Sequence, residues 1–234
     1  MWVKICGNTN LEDAALAAKL GADAVGFVFA PSKRQVTAAQ VGAITPHLPS
    51  GVERVGVFYS HDPEEVAKIA SEARLTAVQL HGGLDELLLE RLAERFKGRV
   101  RIIQTLHWTV AANSTQATSS TTEFSAALLS NQIERVAALG VADRVLIDSK
   151  VGAAGGGTGV AYDWSAAHPI FASAPNSIRL IVAGGLKPTN LSQAIAQLTP
   201  WGVDVSSGVE ASPGRKNPAL VAQFIENAHG VETP

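Results

Sequence analysis

One thiol and two carboxylates stand near the ends of three short β-branched runs. Cys6 closes WVKIC (2–6), Asp148 lies in DRVLIDS (143–149), and Asp204 lies in GVDVSS (202–207). Side chains on a strand alternate between its faces. Val3 and Ile5 therefore share one face of the first run, leaving Lys4 and Cys6 on the other. By the same count Leu146 and Asp148 oppose Val145 and Ile147, and Asp204 and Ser206 oppose Val203 and Val205. If the apolar faces pack on helices, the thiol and both carboxylates look into one interior. A thiolate can take a carbon-bound proton, and a carboxyl group of raised pKa can deliver one, without a metal. Lys4 lies one layer beneath Cys6 and needs a counter-charge, which Asp204 on the closing strand can supply. A structural ion pair and a catalytic part are both open to that couple. Positive charge near Cys6 would favour its thiolate, whereas a lone cysteine with no such neighbours reads simply as a small buried hydrophobe.

Three glycine-rich segments follow late strands: GAAGGGTG (152–159), AGGL (183–186) and SSGVE (206–210). Without side chains, their backbone N–H groups can approach an anion, and a short helix beginning near Gly208 would add its positive end. Three such turns at one face predict a phosphate site. No Walker A pattern accompanies them and no GxGxxG follows the first strand, which argues against nucleotide hydrolysis and dinucleotide binding. Arg34, in SKR (32–34), can reach a substrate carboxylate from the loop after the second strand, or stand as a solvated surface cation. His81, in QLHG, can donate to substrate or satisfy a loop carbonyl. No His/Cys/Asp grouping has metal-ligand spacing, so neither a metal nor another cofactor is expected.

The elements that must position these groups alternate from end to end. Strand-like runs at 2–6, 24–29, 52–59, 76–81, 100–106, 143–149, 177–184 and 202–207 are each followed by an Ala/Leu-rich helical segment. Thr37 and Asp62 are expected N-caps, Gly21 and Pro46 mark helix ends, and Leu84, Leu87, Leu88, Leu92 and Phe96 are expected on one helix face. Eight βα units in 234 residues predict an α/β chain closed as one (β/α)8 TIM barrel over 1–234, with a polar loop at about 107–124. The net charge of -2, from 19 basic and 21 acidic side chains, gives no footprint for nucleic acid. A single cysteine, no leader and no bilayer-length apolar run point to the cytoplasm and away from a membrane. Monomer and homodimer are both open.

With these residues in view the chain resembles the phosphoribosylanthranilate isomerase family. The resemblance runs through KICGNT (4–9), GFVFAPSKR (26–34), GVF (56–58), VQLHG (78–82), LIDS (146–149), GGTG (156–159), AGGLKPTN (183–190) and DVSSGVE (204–210), in family order. It implies Cys6 as general base and Asp148 as general acid. Arg34 would engage the anthranilate carboxylate, and Asp204 would lie near the anthranilate amine. Gly157, Gly185, Ser207 and Gly208 match its phosphate-binding loops. The implied reaction is an Amadori rearrangement of a small phosphorylated substrate in tryptophan biosynthesis. The related histidine-pathway isomerases use two carboxylates for the same chemistry, so Cys6 discriminates against them. The 107–124 stretch looks longer than the family usually has after its fifth strand.

Overall fold

The computed structural model describes residues 1–110, 119–151 and 163–230. Its order is β1 (Trp2–Ile5), α1 (Leu11–Lys19), β2 (Ala24–Val28), α2 (Ala38–Ile44), β3 (Glu53–Phe58), α3 (Pro63–Glu72), β4 (Ala77–Leu80) and α4 (Glu86–Phe96). There follow β5 (Arg101–Val110), α5 (Ser119–Leu139), β6 (Arg144–Val151), α6 (Trp164–Ser173), β7 (Arg179–Val182), α7 (Pro188–Leu198), β8 (Gly202–Val205) and α8 (Pro218–Gly230). The eight strands form a closed barrel. Closure is parallel and runs from Trp2 opposite Gly202 to Ile5 opposite Val205. The expected (β/α)8 architecture is therefore present. No helix among the described residues is long and apolar enough to cross a membrane.

The alternation read from sequence separates two cores. Trp2, Ala24, Val55, Ala77, Ile103, Leu146 and Ile181 fill the lower barrel interior. Val3, Ile5, Val145, Ile147, Val203 and Val205 pack outward with the helices. Each fully buried aliphatic side chain contributes about 1.5–3 kcal/mol, so a one-residue register slip, which would turn these faces over, is strongly disfavoured. Local signals start the helices where expected. Thr37 accepts from the Gln40 backbone N–H while the Gln40 side chain accepts from the Thr37 N–H, and Asp62 accepts from the Glu64 N–H ahead of Pro63.

Three expectations are corrected. Leu87 is 56% exposed, whereas Leu89 is buried with Leu88, Leu92 and Phe96; at 100° per residue the 88/89/92/96 stripe leaves position 87 on the outer edge. The 107–124 stretch is not a continuous loop. β5 stays paired to β6 as far as Val110 opposite Val151, and α5 begins at Ser119. Only 111–118 separates them, and it lies outside the described residues. After β8 the chain makes a single 3-10 turn at Ser207–Val209. A two-stranded hairpin that the sequence does not signal follows it, β9 (Glu210–Ser212) with β10 (Arg215–Lys216).

Candidate active site

A polar layer lies above the apolar barrel floor. The fully buried Lys4 ammonium is 2.8 Å from Asp204 Oδ1 and 2.8 Å from Gln79 Oε1. Burial pulls the Lys4 pKa down, but the attraction of Asp204 and Cys6 outweighs it and the net shift is upward. Lys4 is therefore a permanent cation. An ammonium only donates, so it fixes the Gln79 amide with its oxygen toward Lys4. The Gln79 nitrogen then faces Thr105 Oγ1 at 3.1 Å and His81 Nδ1 at 3.4 Å.

Cys6 follows directly at the end of β1, its N–H donating to the Val205 carbonyl over 2.8 Å. Gly26 on β2 makes room for its sulfur, since a Cβ there would stand 2.7 Å from Cys6 Sγ. Lys4 and Lys216 do favour the Cys6 thiolate, as expected of nearby positive charge. Burial, with the Asp204 charge adding to it, pushes the thiol up by more than Lys4 and Lys216 pull it down. The resting group is a neutral thiol.

Asp148 on β6 is buried across the mouth, with His81 Nε2 3.6 Å from its Oδ2. Burial first, then His107 and Lys4, lower the His81 pKa to about 3, so the ring is neutral. Because Gln79 presents an N–H to Nδ1, the neutral ring carries its proton on Nε2, toward Asp148. His81 thus turns its donor toward the Asp148 carboxyl group, and its ring does not serve a loop carbonyl. Its own carbonyl lies 3.1 Å from His107 Nε2. Tyr59 packs on the His81 ring at 4.9 Å.

The glycine turns meet Asp148 in one small pocket. Its lining includes Asp148, Gly184, Gly185, Asp204, Ser207 and Gly208. Gly184 and Gly185 take φ of 82° and 67°, a left-handed path that suits glycine. Asn190 at the start of α7 pins that turn, donating to the Gly185 carbonyl at 3.0 Å. A Cβ at Gly208 would run into the Leu186 carbonyl oxygen, so the two turns touch backbone to backbone. Gly157 lies outside the described residues.

Arg34 reaches the same rim. Its Nε and Nη2 bind the two Glu210 oxygens at 2.8 and 2.7 Å. One guanidinium edge, Nε with Nη2, is thereby engaged by Glu210. Glu210 also receives Lys216 Nζ at 3.1 Å, and that buried ammonium donates to the carbonyls of Cys6 at 2.5 Å and Ser206 at 3.2 Å. The hairpin therefore fastens Arg34, Cys6 and the last turn together. Sequence reading missed Gln79, His107, Glu210 and Lys216. Gln79 was recoverable, two residues before His81 on the same strand face; Lys216 carries no signal of its role.

Larger grooves lie outside the barrel, such as that between α3 and α4, lined by Glu64, Arg91 and Arg95. Glu64 and Arg95 form an exposed pair there, and no acid–base constellation accompanies them. At the barrel mouth, by contrast, two carboxyl groups and two glycine turns share one lining.

Comparison with known proteins agrees with this geometry. A family model described as N-(5'phosphoribosyl)anthranilate (PRA) isomerase matches residues 3–227. N-(5'-phosphoribosyl)anthranilate isomerase of Thermotoga petrophila is 40% identical over 232 residues, covering 98% of both chains. Its counterpart from Rubrobacter xylanophilus is 38% identical, over 97% of this chain and 98% of the relative. A solved phosphoribosyl anthranilate isomerase from Thermotoga maritima superposes with TM-score 0.78 at 38% identity, covering 99% of this chain and 100% of its own. Another, in complex with reduced 1-(o-carboxyphenylamino)-1-deoxyribulose 5-phosphate, gives TM-score 0.75 at 36% identity with the same coverage.

Proposed function

The chain belongs to the N-(5'-phosphoribosyl)anthranilate isomerase family, and from that membership we propose how its own residues carry the reaction. The substrate is N-(5'-phosphoribosyl)anthranilate and the product is 1-(2-carboxyphenylamino)-1-deoxyribulose 5-phosphate. This tryptophan-biosynthetic step is an aldose–ketose rearrangement in which C1′ is reduced as C2′ is oxidised within one molecule. One observation carries the assignment. Asp148, Asp204 and two glycine turns line a single pocket, while Cys6 is paired to β8 beside it.

Asp148 protonates the ribose ring oxygen, and the ring opens as the C1′–N bond becomes a protonated Schiff base. Cys6, once ionised to its thiolate, takes the C2′ proton and becomes a thiol, leaving an enolamine that ketonises to product. Neither step needs a metal, because the protons move between a carboxyl group, a thiol and the substrate. Asp148 must enter the cycle protonated; His81, neutral with Nε2–H toward it, supports the carboxylate left after that proton is given up. Arg34 takes the anthranilate carboxylate on its Nη1 edge, and Asp204 faces the anthranilate nitrogen. The backbone at Gly185, Ser207 and Gly208, with Gly157, holds the phosphate. Anchoring the sugar away from the reacting bonds supplies binding energy and orientation. The single free thiol supports the cytoplasm as the place of action. A dimeric relative is known from Thermotoga maritima, which supports a homodimer over a monomer here.

The test follows fluorescence of the anthranilate adduct. Cys6→Ala and Asp148→Asn should each lower kcat by about 10²–10⁴-fold with KM and Tm little changed. Turnover within tenfold of the parent in either variant would refute its assigned role.

A further inference from the structure

His81, His107 and Asp148 offer three ligand atoms that all lie within 4.8 Å of one another. His81 directly follows β4, and His107 and Asp148 are paired within the C-terminal halves of β5 and β6, so the trio spans three adjacent strands. We propose that this trio captures a divalent transition-metal ion in the substrate-free enzyme and that the captured ion inhibits it. Two imidazoles and one carboxylate suit Zn²⁺, Co²⁺ or Ni²⁺ rather than the oxygen-seeking Mg²⁺ or Ca²⁺. A tetrahedral ion with bonds of about 2.0–2.1 Å holds its ligand atoms roughly 3.4 Å apart. His81 Nε2 and Asp148 Oδ2 already stand at 3.6 Å, and the two imidazoles meet edge to face with centroids 4.9 Å apart. Modest side-chain rotation closes the third corner. Three protein ligands leave a fourth position to water.

The ring nitrogens set the terms of capture. His107 Nε2 faces the His81 carbonyl at 3.1 Å, and a carbonyl only accepts, so Nδ1 holds the lone pair. Donating the second nitrogen to a carbonyl is the usual support for a metal-bound histidine. His81 is the opposite case. The Gln79 N–H at 3.4 Å keeps its proton on Nε2, so capture requires that proton to move to Nδ1 against the amide. Capture is therefore weakened, and Gln79 is the residue that weakens it.

Binding stands on geometry alone. Inhibition rests on the reading of Asp148 as the acid, because a metal-bound carboxylate has no proton to deliver. The two are separated by titrating the purified protein with Co²⁺ without substrate and reading its visible d–d absorption, then assaying turnover with Zn²⁺ and with chelator. One tetrahedral Co²⁺ per chain is expected, weakened at least tenfold in His107→Asn and in Asp148→Asn. Gln79→Glu should tighten it about tenfold, because a carboxylate accepts the Nδ1 proton while still serving Lys4; misfolding cannot produce a gain. Absent Co²⁺ bands, or bands unchanged in both ligand variants, would overturn the site, and unchanged affinity in Gln79→Glu would remove His81 from it. Zn²⁺ should lower parent turnover reversibly. Binding without inhibition would overturn the inhibitory consequence and count against Asp148 as the acid, leaving the site standing.

Discussion

A base acts only after it has lost its own proton, and at Cys6 the surroundings oppose that loss. Burial raises the thiol, while Lys4 and then Lys216 pull it back without winning. The free enzyme's kcat/KM should therefore climb with pH along a limb lying above the ordinary thiol value of about 8.5. Lys4→Met removes the stronger of the two lowering charges, so the limb should move further up; Lys216→Met should move it less. His81, held near 3, contributes no limb in the neutral range. A profile of kcat/KM against pH for the parent and both lysine variants decides this. A limb at or below the ordinary thiol value, or one that ignores Lys4, would contradict the electrostatics. Much of this residue-level arrangement is legible from alternation alone, which turns Cys6, Asp148 and Asp204 inward. The charge state of Cys6 is not, because desolvation depends on what covers the sulfur, and Gly26 and its neighbours come from elsewhere in the chain.

The β9–β10 hairpin is the element that sequence reading overlooks, and the site leans on it. Strands of three and two residues are too short to show alternation, whereas β6 shows it from Val145 to Asp148. His107 was passed over for a related reason, since the expected strand stopped at 106 and pairing with β6 carries it on. Within the hairpin, burial acts to raise the Glu210 pKa, but hydrogen bonds and charge from Arg34 and Lys216 prevail and lower it. A carboxylate lowered on folding stabilises the fold fully above its unfolded pKa. That contribution is lost as pH falls through the folded value, below the ordinary glutamate value of about 4.3. Glu210→Gln should therefore destabilise the fold at neutral pH and flatten the acid side of the stability curve. It also releases Arg34, so KM should rise more than kcat falls. Urea titrations across pH, with steady-state kinetics, test both parts. An acid limb as steep as the parent's would show that Glu210 does not carry it.

Across the whole molecule the two ends of the barrel do different work. The C-terminal rim carries Asp148, the Cys6 thiol and the glycine turns. The N-terminal end is closed by Trp2 and Trp201, stacked 5.4 Å apart. The Arg144 guanidinium lies over both rings at 5.3 and 4.8 Å. Arg144, at the start of β6, also binds both Glu53 oxygens on β3 at 2.6 and 3.0 Å, so it ties strands on different sides of the barrel. Its side chain is 4% exposed, and removing one partner of such a pair costs about 3–5 kcal/mol. At this chain length 1 kcal/mol moves Tm by roughly 2–4 °C, so Arg144→Ala should lower Tm by about 6–20 °C. Asp148 lies four residues on along the same strand, yet its pocket contains no part of this plug. At a temperature where the variant is folded, kcat/KM should therefore stay within about twofold of the parent. Asp148→Asn should do the reverse, losing turnover while keeping Tm. Thermal melts and kinetics on the two variants side by side test the division. A large kinetic defect in Arg144→Ala well below its Tm would mean that strain at the floor travels up β6 to the mouth.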